Sequence, residues 1–308
     1  MRKLLVIGLL SAVVASNAQN NGDPEKYAAK ITAESLKEKL TIIASAEMEG
    51  RETATPGQKK AAAYIEGKFK KFGLKPGNGD SYQMTYPVYR DELTDKKISV
   101  NGQHFDWDKD YTFSLQTISS GEWNCNSTVF AGYGIVDSAK SINDFTNLDV
   151  KGKVVIVLDG SADSKPGATV VGGSRARNAN PASTFAKMNA AIKNGAIGLL
   201  VVSPGFPHKD PTPTQGNMYL KKSANGTFLM ATISEEVASA LLGRTHKLSA
   251  DELKQVNKGN YTAELKVAAA KNTENLESSN VLALLPGTDK KDEYVFITGH
   301  YDHLGKKG

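Results

Sequence analysis

Residues 295–305, VFITGHYDHLG, decide how the rest of this chain is read. Val295, Phe296 and Ile297 are consecutive β-prone apolar residues. A continuous run of that kind reads as a strand buried on both faces, as in sheets covered by helices. His300, Asp302 and His303 then fall at the strand's carboxyl edge, where open α/β sheets carry their chemistry. A histidine that ligates a metal through one ring nitrogen needs a partner on the other, and a carboxylate two residues on can supply it. Taken alone, His-x-Asp reads first as an ordinary surface hydrogen bond after a strand.

The flanking sequence extends the pattern. NVLALLPG (280–287) reads as a second strand, joined to EYVFITGH by the charged turn TDKKDE. Before it, KNTENLESS (271–279) is polar and reads as a connection. Residues 110–268 form a unit of their own. It has a strand and Gly turn in TVFAGYGI (128–135), a buried strand at 154–158, a helix over 185–194 and a buried strand in AIGLLVVS (196–203). A strand, then a helix capped at Ser234 and closed at Gly243, follows. The loop 204–218 holds four prolines and is expected at the surface. Towards the N-terminus, residues 82–107 alternate in short extended pieces around the Asn101-Gly102 turn. Helices are expected over 32–44, capped by Thr32 with Leu36, Leu40 and Ile43 on one face, and over 58–72, with Ala61, Ile65, Phe69 and Phe72 on one face. Between these helices lies SAEMEGRETATPG (45–57), dense in charge, Thr, Gly and Pro.

The totals agree with a folded, two-part chain. The 308 residues suggest about two domains. Apolar residues make up 40% and charged residues 23%, which excludes a disordered chain. The formal charge of +5 is scattered, with no basic stripe carrying aromatics, so a nucleic-acid surface is not expected. Arg2 and Lys3, the apolar run Leu4–Ala15 and Ser16-Asn17-Ala18 read as a signal peptide over 1–18. The apolar run is short for a membrane span, so no stable membrane insertion is expected after cleavage. An uncleaved anchor is the alternative. Cys125 is the only cysteine, has no internal disulfide partner and is expected to pack as a small apolar residue.

Two metal-site families use a string close to His300–Gly305. Metallo-β-lactamase-like hydrolases carry H-x-H-x-D-H-x-G, but their first histidine would fall on Thr298 here. The chain resembles more closely the M28 zinc aminopeptidases, whose strand ends in H-Y-D-H-L-G, as residues 300–305 do. MEGRETATPGQKKAAAYI (48–65) resembles the loop and helix that open such peptidases, and residues 280–305 resemble their paired strands. VFAGYGI, LDVKGKVVIVLDG and NGAIGLLVVS resemble the protease-associated domain inserted in many of them. The resemblance implies an α/β fold: a mixed-sheet zinc-exopeptidase-like domain, incomplete here, interrupted by a smaller α/β protease-associated domain. The implied segments are a signal peptide at 1–18, peptidase domain at 19–109, inserted domain at 110–268 and a return to the peptidase domain at 269–308.

Carried over residue by residue, His300 resembles a zinc ligand and Asp302 the catalytic-site carboxylate that orients it. His303 has no ligand role in that pattern and is expected in the turn or at the pocket wall. Glu47, Glu49 and Arg51 are within possible reach of the site mouth, but a turn-stabilising loop is the simpler expectation. His104, His208 and His246 are expected to be surface histidines. The resemblance implies two Zn²⁺ per complete site, with the bridging aspartate, the general-base glutamate and the remaining ligands beyond Gly308. It implies a secreted or periplasmic enzyme acting on N-terminal peptide bonds of peptide or protein substrates, with this portion inactive alone. The rival readings are a non-catalytic binding module built on the inserted domain and a metallo-β-lactamase-like hydrolase.

Overall fold

The computed structural model describes residues 24–163, 180–221 and 228–306. The signal-peptide reading at 1–18 lies outside them. The chain divides into two compact units, one of Met1–Thr85 with Ser278–Gly308 and one of Tyr86–Glu277. Among the described residues, no helix is long and apolar enough to cross a membrane.

The chain has the α/β class that the sequence led us to expect, but its large mixed sheet lies mainly in the second unit, where the smaller α/β domain was expected. Eight strands run in the order β3-β2-β11-β5-β8-β9-β10-β4. They are β2 (Gln83–Val100), β3 (Gln103–Phe105), β4 (Tyr111–Phe113), β5 (Gly121–Phe130), β8 (Val154–Leu158), β9 (Gly198–Val202), β10 (Leu229–Ile233) and β11 (Gly259–Val281). β6 (Val136–Asp137) and β7 (Ile142–Asn143) form a separate hairpin. The four strands β5, β8, β9 and β10 are parallel, and antiparallel pairs flank them.

All five residues of β8 and of β9 are buried. The period of two explains why: Val154, Ile156, Leu200 and Val202 enter one apolar cluster, while Val155, Val157, Leu199 and Val201 enter another. Three further helices of the chain cover these faces, and we number them α4 to α6. Val237, Ala238 and Leu241 of α5 (Glu235–Leu241) and Leu253 of α6 (Ala250–Lys254) close the first cluster. Ala191 of α4 (Thr184–Lys193) closes the second. Each helix starts at a serine whose hydroxyl accepts a backbone N–H: Ser183 from Ala186, Ser234 from Val237 and Ser249 from Glu252.

This unit is wider than residues 110–268. Leu93, Ile98, Val100 and Phe105, from β2 and β3, are buried in the first cluster, so the strands before residue 110 belong to the same core. KNTENLESS is not a connection either. It lies within β11, because Lys271 and Thr273 hydrogen-bond to Asp91 and Ser278 and Ser279 are buried. A polar stretch becomes strand when buried partners take its polar atoms.

The first unit holds α1 (Pro24–Ala28), α2 (Ala33–Ile43), a 3₁₀ segment (Ala46–Arg51) and α3 (Pro56–Lys71). The short strands β1 (Lys75–Pro76) and β12 (Ala283–Leu284) pair antiparallel. Thr32 caps α2, accepting from Ser35 N at 3.1 Å, as its sequence predicts. Phe72 lies outside the helix as the C-cap of α3 and is exposed rather than on a packed face. The largest departure is at Val295–Ile297. These residues are in no strand and are 92, 82 and 97% exposed. An apolar run becomes a strand only when neighbouring backbone takes its N–H and C=O groups, and no described strand pairs with it.

Candidate functional site

The motif HYDHLG closes against the loop 48–58, within one unit. That loop turns sharply. Glu49, Gly50, Arg51 and Ala54 all have positive φ, between 52° and 65°, a region non-glycine residues seldom occupy and which costs energy to hold. The turn aims backbone carbonyls at the motif. His303 N donates to Arg51 O at 2.8 Å, and Gly305 N donates to Gly50 O at 3.0 Å. Both glycines are required by space. A Cβ on Gly50 would lie 2.2 Å from Gly305 O, and one on Gly305 would lie 2.8 Å from Glu52 Cβ.

Arg51 organises backbone. Its Nε donates to Tyr301 O at 2.7 Å, and its Nη1 bonds Ile43 O. Glu49 pairs with Lys60 at 2.8 Å and with Lys306 at 3.9 Å. The Lys60 hydrogen bond, then the Lys306 charge, holds its carboxyl below the ordinary value. Arg51 and Glu49 therefore act as loop-stabilising residues.

Beneath the motif is a buried polar hub. Gln58, 2% exposed, donates from Nε2 to Ser278 Oγ at 2.7 Å and to Tyr301 Oη at 2.9 Å. Its Oε1 accepts from Ala54 N at 3.0 Å. Tyr301 Oη donates to Ser279 O, and Ser279 Oγ donates to Gln83 Oε1 at 3.1 Å. Tyr301 is thus pinned at its ring hydroxyl and at its carbonyl, which fixes the residues on either side.

On that footing stand the two predicted site residues. His300 Nδ1 lies 3.0 Å from Asp302 O and 3.5 Å from Asp302 Oδ1. Both neighbours only accept, so the neutral ring carries its proton on Nδ1 and leaves the Nε2 lone pair outward. The His300 side chain is 81% exposed. Asp302 Oδ2 accepts from Thr53 Oγ1 at 2.7 Å. His303 sits in the turn, bridged to Glu52, and does not join His300 in a cluster.

This geometry fits one corner of a metal site. An imidazole tied at Nδ1 by a carboxylate-bearing partner has the tautomer a metal ligand needs. Zinc in an enzyme takes three protein ligands, and among the described residues no group of three His, Cys, Asp or Glu could hold a metal ion. The described residues alone therefore do not fit a complete zinc centre. The other histidines lie elsewhere. His104 and His246 are exposed, and His208 stacks on Phe206 and bonds Thr212 Oγ1 at 3.0 Å. Cys125 packs against the apolar core, and burial pushes its thiol up.

Thr53, Gln58 and Tyr301 were not among the residues that sequence reasoning singled out. Gln58 carried a signal: Thr55-Pro56-Gly57-Gln58 has the spacing of a capping box. The box is not formed, because Thr55 Oγ1 donates to Glu52 O at 2.6 Å and Gln58 turns to Ala54 and the motif. Nothing in spacing or periodicity marks Thr53. In the second unit a cavity of about 600 Å³ is lined by Asp91, Met188, Tyr219, Phe228 and Lys271, among others. The Asp91 carboxylate there is already bonded to Lys271, Tyr219 and Thr273.

No family model and no curated protein matches the sequence. Solved structures are similar at low identity. An aminopeptidase from Aneurinibacillus sp. strain AM-1 is 17% identical over 82% of this chain and 51% of that one, with a TM-score of 0.42. A peptidase M28 precursor from Shewanella amazonensis SB2B is 16% identical over 86% and 52%, with a TM-score of 0.37. A zinc aminopeptidase from Bacillus subtilis is 18% identical over 82% and 46%, with a TM-score of 0.32. The chain spans about half the length of these structures.

Proposed function

We propose that this chain is part of a secreted or periplasmic zinc aminopeptidase of the M28 type, with His300 as a zinc ligand and Asp302 as the carboxylate that orients it. The observation that carries the reading is the state of His300: Nδ1 faces Asp302 while Nε2 is presented outward. It stands within the H-Y-D-H-L-G string on which the family resemblance rests. The unit of residues 86–277 would be the inserted protease-associated domain, and peptides or proteins with a free N-terminus the substrates.

The roles of the chain's own residues follow from their contacts. Asp302 keeps the proton on Nδ1 of His300, so Nε2 keeps a lone pair free for a metal. Tyr301 and Arg51 hold the backbone between them. The loop 48–54 keeps the motif folded back through His303 and Gly305. A zinc ion held in part by His300 would supply Lewis-acid activation of water. One imidazole is a third of the protein ligands such a centre needs, so these residues alone have no peptidase activity in this reading.

The test is zinc content and aminoacyl-nitroanilide hydrolysis, measured on the 308-residue chain and on the parent enzyme. The chain should do neither. In the parent, His300→Ala should abolish activity and lose zinc, and Asp302→Asn should weaken zinc binding or rate by roughly 10–100-fold. A fully active His300→Ala parent overturns the proposal.

A further inference from the structure

We infer that Thr53 is a positioning residue for His300, acting through Asp302. The inference rests on the reading of His300 as a ligand and deepens it. Asp302 has one carboxylate and two tasks, and its oxygens divide them. Oδ2 accepts the Thr53 hydroxyl at 2.7 Å. Oδ1 is the oxygen on the His300 side, 3.5 Å from Nδ1, which also has the Asp302 carbonyl oxygen at 3.0 Å. A carboxylate that is 40% exposed at its side chain rotates freely about its Cβ–Cγ bond unless one oxygen is tied. Thr53 ties it.

Thr53 is itself held by the loop rather than by chance rotamer choice. It lies between Arg51 and Ala54, both at positive φ, and beside Glu52, which bridges to His303. The same loop therefore holds the motif by two backbone hydrogen bonds, by the Arg51 side chain on Tyr301 O and by this hydroxyl. The backbone contacts fix where the motif lies. The hydroxyl fixes which way the carboxylate faces, and so whether its charge adds to the Asp302 carbonyl in keeping the proton on Nδ1.

The readout is the tautomer of His300, which needs no metal. ¹⁵N-histidine labelling of the 308-residue chain, read about two units above the ordinary histidine pKa of about 6.5, separates Nδ1–H from Nε2–H rings. His300→Ala assigns the signal among the five histidines. The wild-type ring should be Nδ1–H. Thr53→Val, which keeps shape and deletes the hydroxyl, should raise the Nε2–H to Nδ1–H ratio by roughly threefold, the scale of one net hydrogen bond. Thr53→Ser should restore the wild-type ratio. Thr53→Ala is a second hydroxyl deletion without added bulk, and the shift must appear in whichever variant keeps the Gly305 amide signal. An unchanged ratio in the hydroxyl deletions, or Thr53→Ser behaving like Thr53→Val, overturns the inference. Either result leaves the zinc proposal standing, while a fully active His300→Ala parent defeats that proposal without touching the tautomer result.

Discussion

Gly50 and Gly305 hold the loop and the motif in backbone contact, and each has a positive φ. Gly50→Ala should cost roughly 1–2 kcal/mol for the left-handed conformation alone, and more because its methyl would meet Gly305 O. Loss of hydrogen-exchange protection at the Gly305 amide is the measurement, and wild-type protection in the variant would refute the close-contact argument. Lys187 is the other telling residue. It is fully buried, donates to Leu158 O and Gly160 O at 2.6 Å each, and lies 5.8 Å from the Tyr133 ring. Burial pulls its pKa down to about 8, against the opposing charges of Asp159 and Asp144. The unfolded chain then binds the extra proton between about pH 8 and 10.5, so stability rises with pH across that window, by about 3 kcal/mol in full. Tyr111 works the other way. Burial, then Asp106 and Asp95, pushes its hydroxyl up to about 12, so the folded state keeps a proton the unfolded state loses above about pH 10. Urea melts should therefore give a stability maximum near pH 10, and Lys187→Met should remove the rise while keeping the fall. A wild-type curve flat between pH 8 and 10 would contradict this. The charge of Lys187 was visible in the sequence, but its burial was not, because a lysine on an alanine-rich helix also reads as solvated.

At the scale of elements, Asp91 of β2 joins β11 to the loop that carries Tyr219. Its carboxylate accepts from Lys271 at 2.9 Å and from Thr273 and Tyr219 at 2.8 Å each. Burial raises its pKa, and the bonds from Lys271, Tyr219 and Thr273 outweigh that, leaving it below the ordinary value. Removing one partner strands a charge, since the Lys271 side chain is only 9% exposed. Asp91→Ala should cost about 3–5 kcal/mol, and the double variant Asp91→Leu with Lys271→Met should recover most of it. A double-mutant cycle by chemical denaturation measures this, and purely additive losses would mean the pair is not coupled. The same cluster explains why KNTENLESS was misread. Short-range pattern assigns polar runs to connections, while this run is strand because of partners some 180 positions away. The elements at 154–158, 184–193 and 229–241 were legible because each carries its own signal: five apolar residues in a row, or a serine cap before an apolar period. Val295–Ile297 has the first signal, but no described strand pairs with it, and it is exposed.

At the scale of the whole molecule, a separate α/β unit was legible from its run of buried strands, but its margins were not. Core membership of Leu93, Ile98 and Phe105 depends on sheet order, which no local window encodes. Residues 86–277, produced alone, should unfold cooperatively on heating, while 110–268 should melt lower or not fold, having lost those side chains. Calorimetry of both segments decides it, and equal melting temperatures would show that β2 and β3 are dispensable. The two margins have a further consequence. Within the second unit, Arg90 and Glu274 form an ion pair at 2.8 Å, so its two ends emerge side by side. Within the first, Leu282 N donates to Tyr82 O at 2.7 Å and Ser279 Oγ to Gln83 Oε1, so the ends it presents are also side by side. Closing either gap takes only a tight turn, at little entropic cost. Each unit is thus a cassette: residues 86–277 could be transplanted into a hairpin of another protein, and a short Asn-Gly turn could replace them here with the motif 300–305 left on its loop.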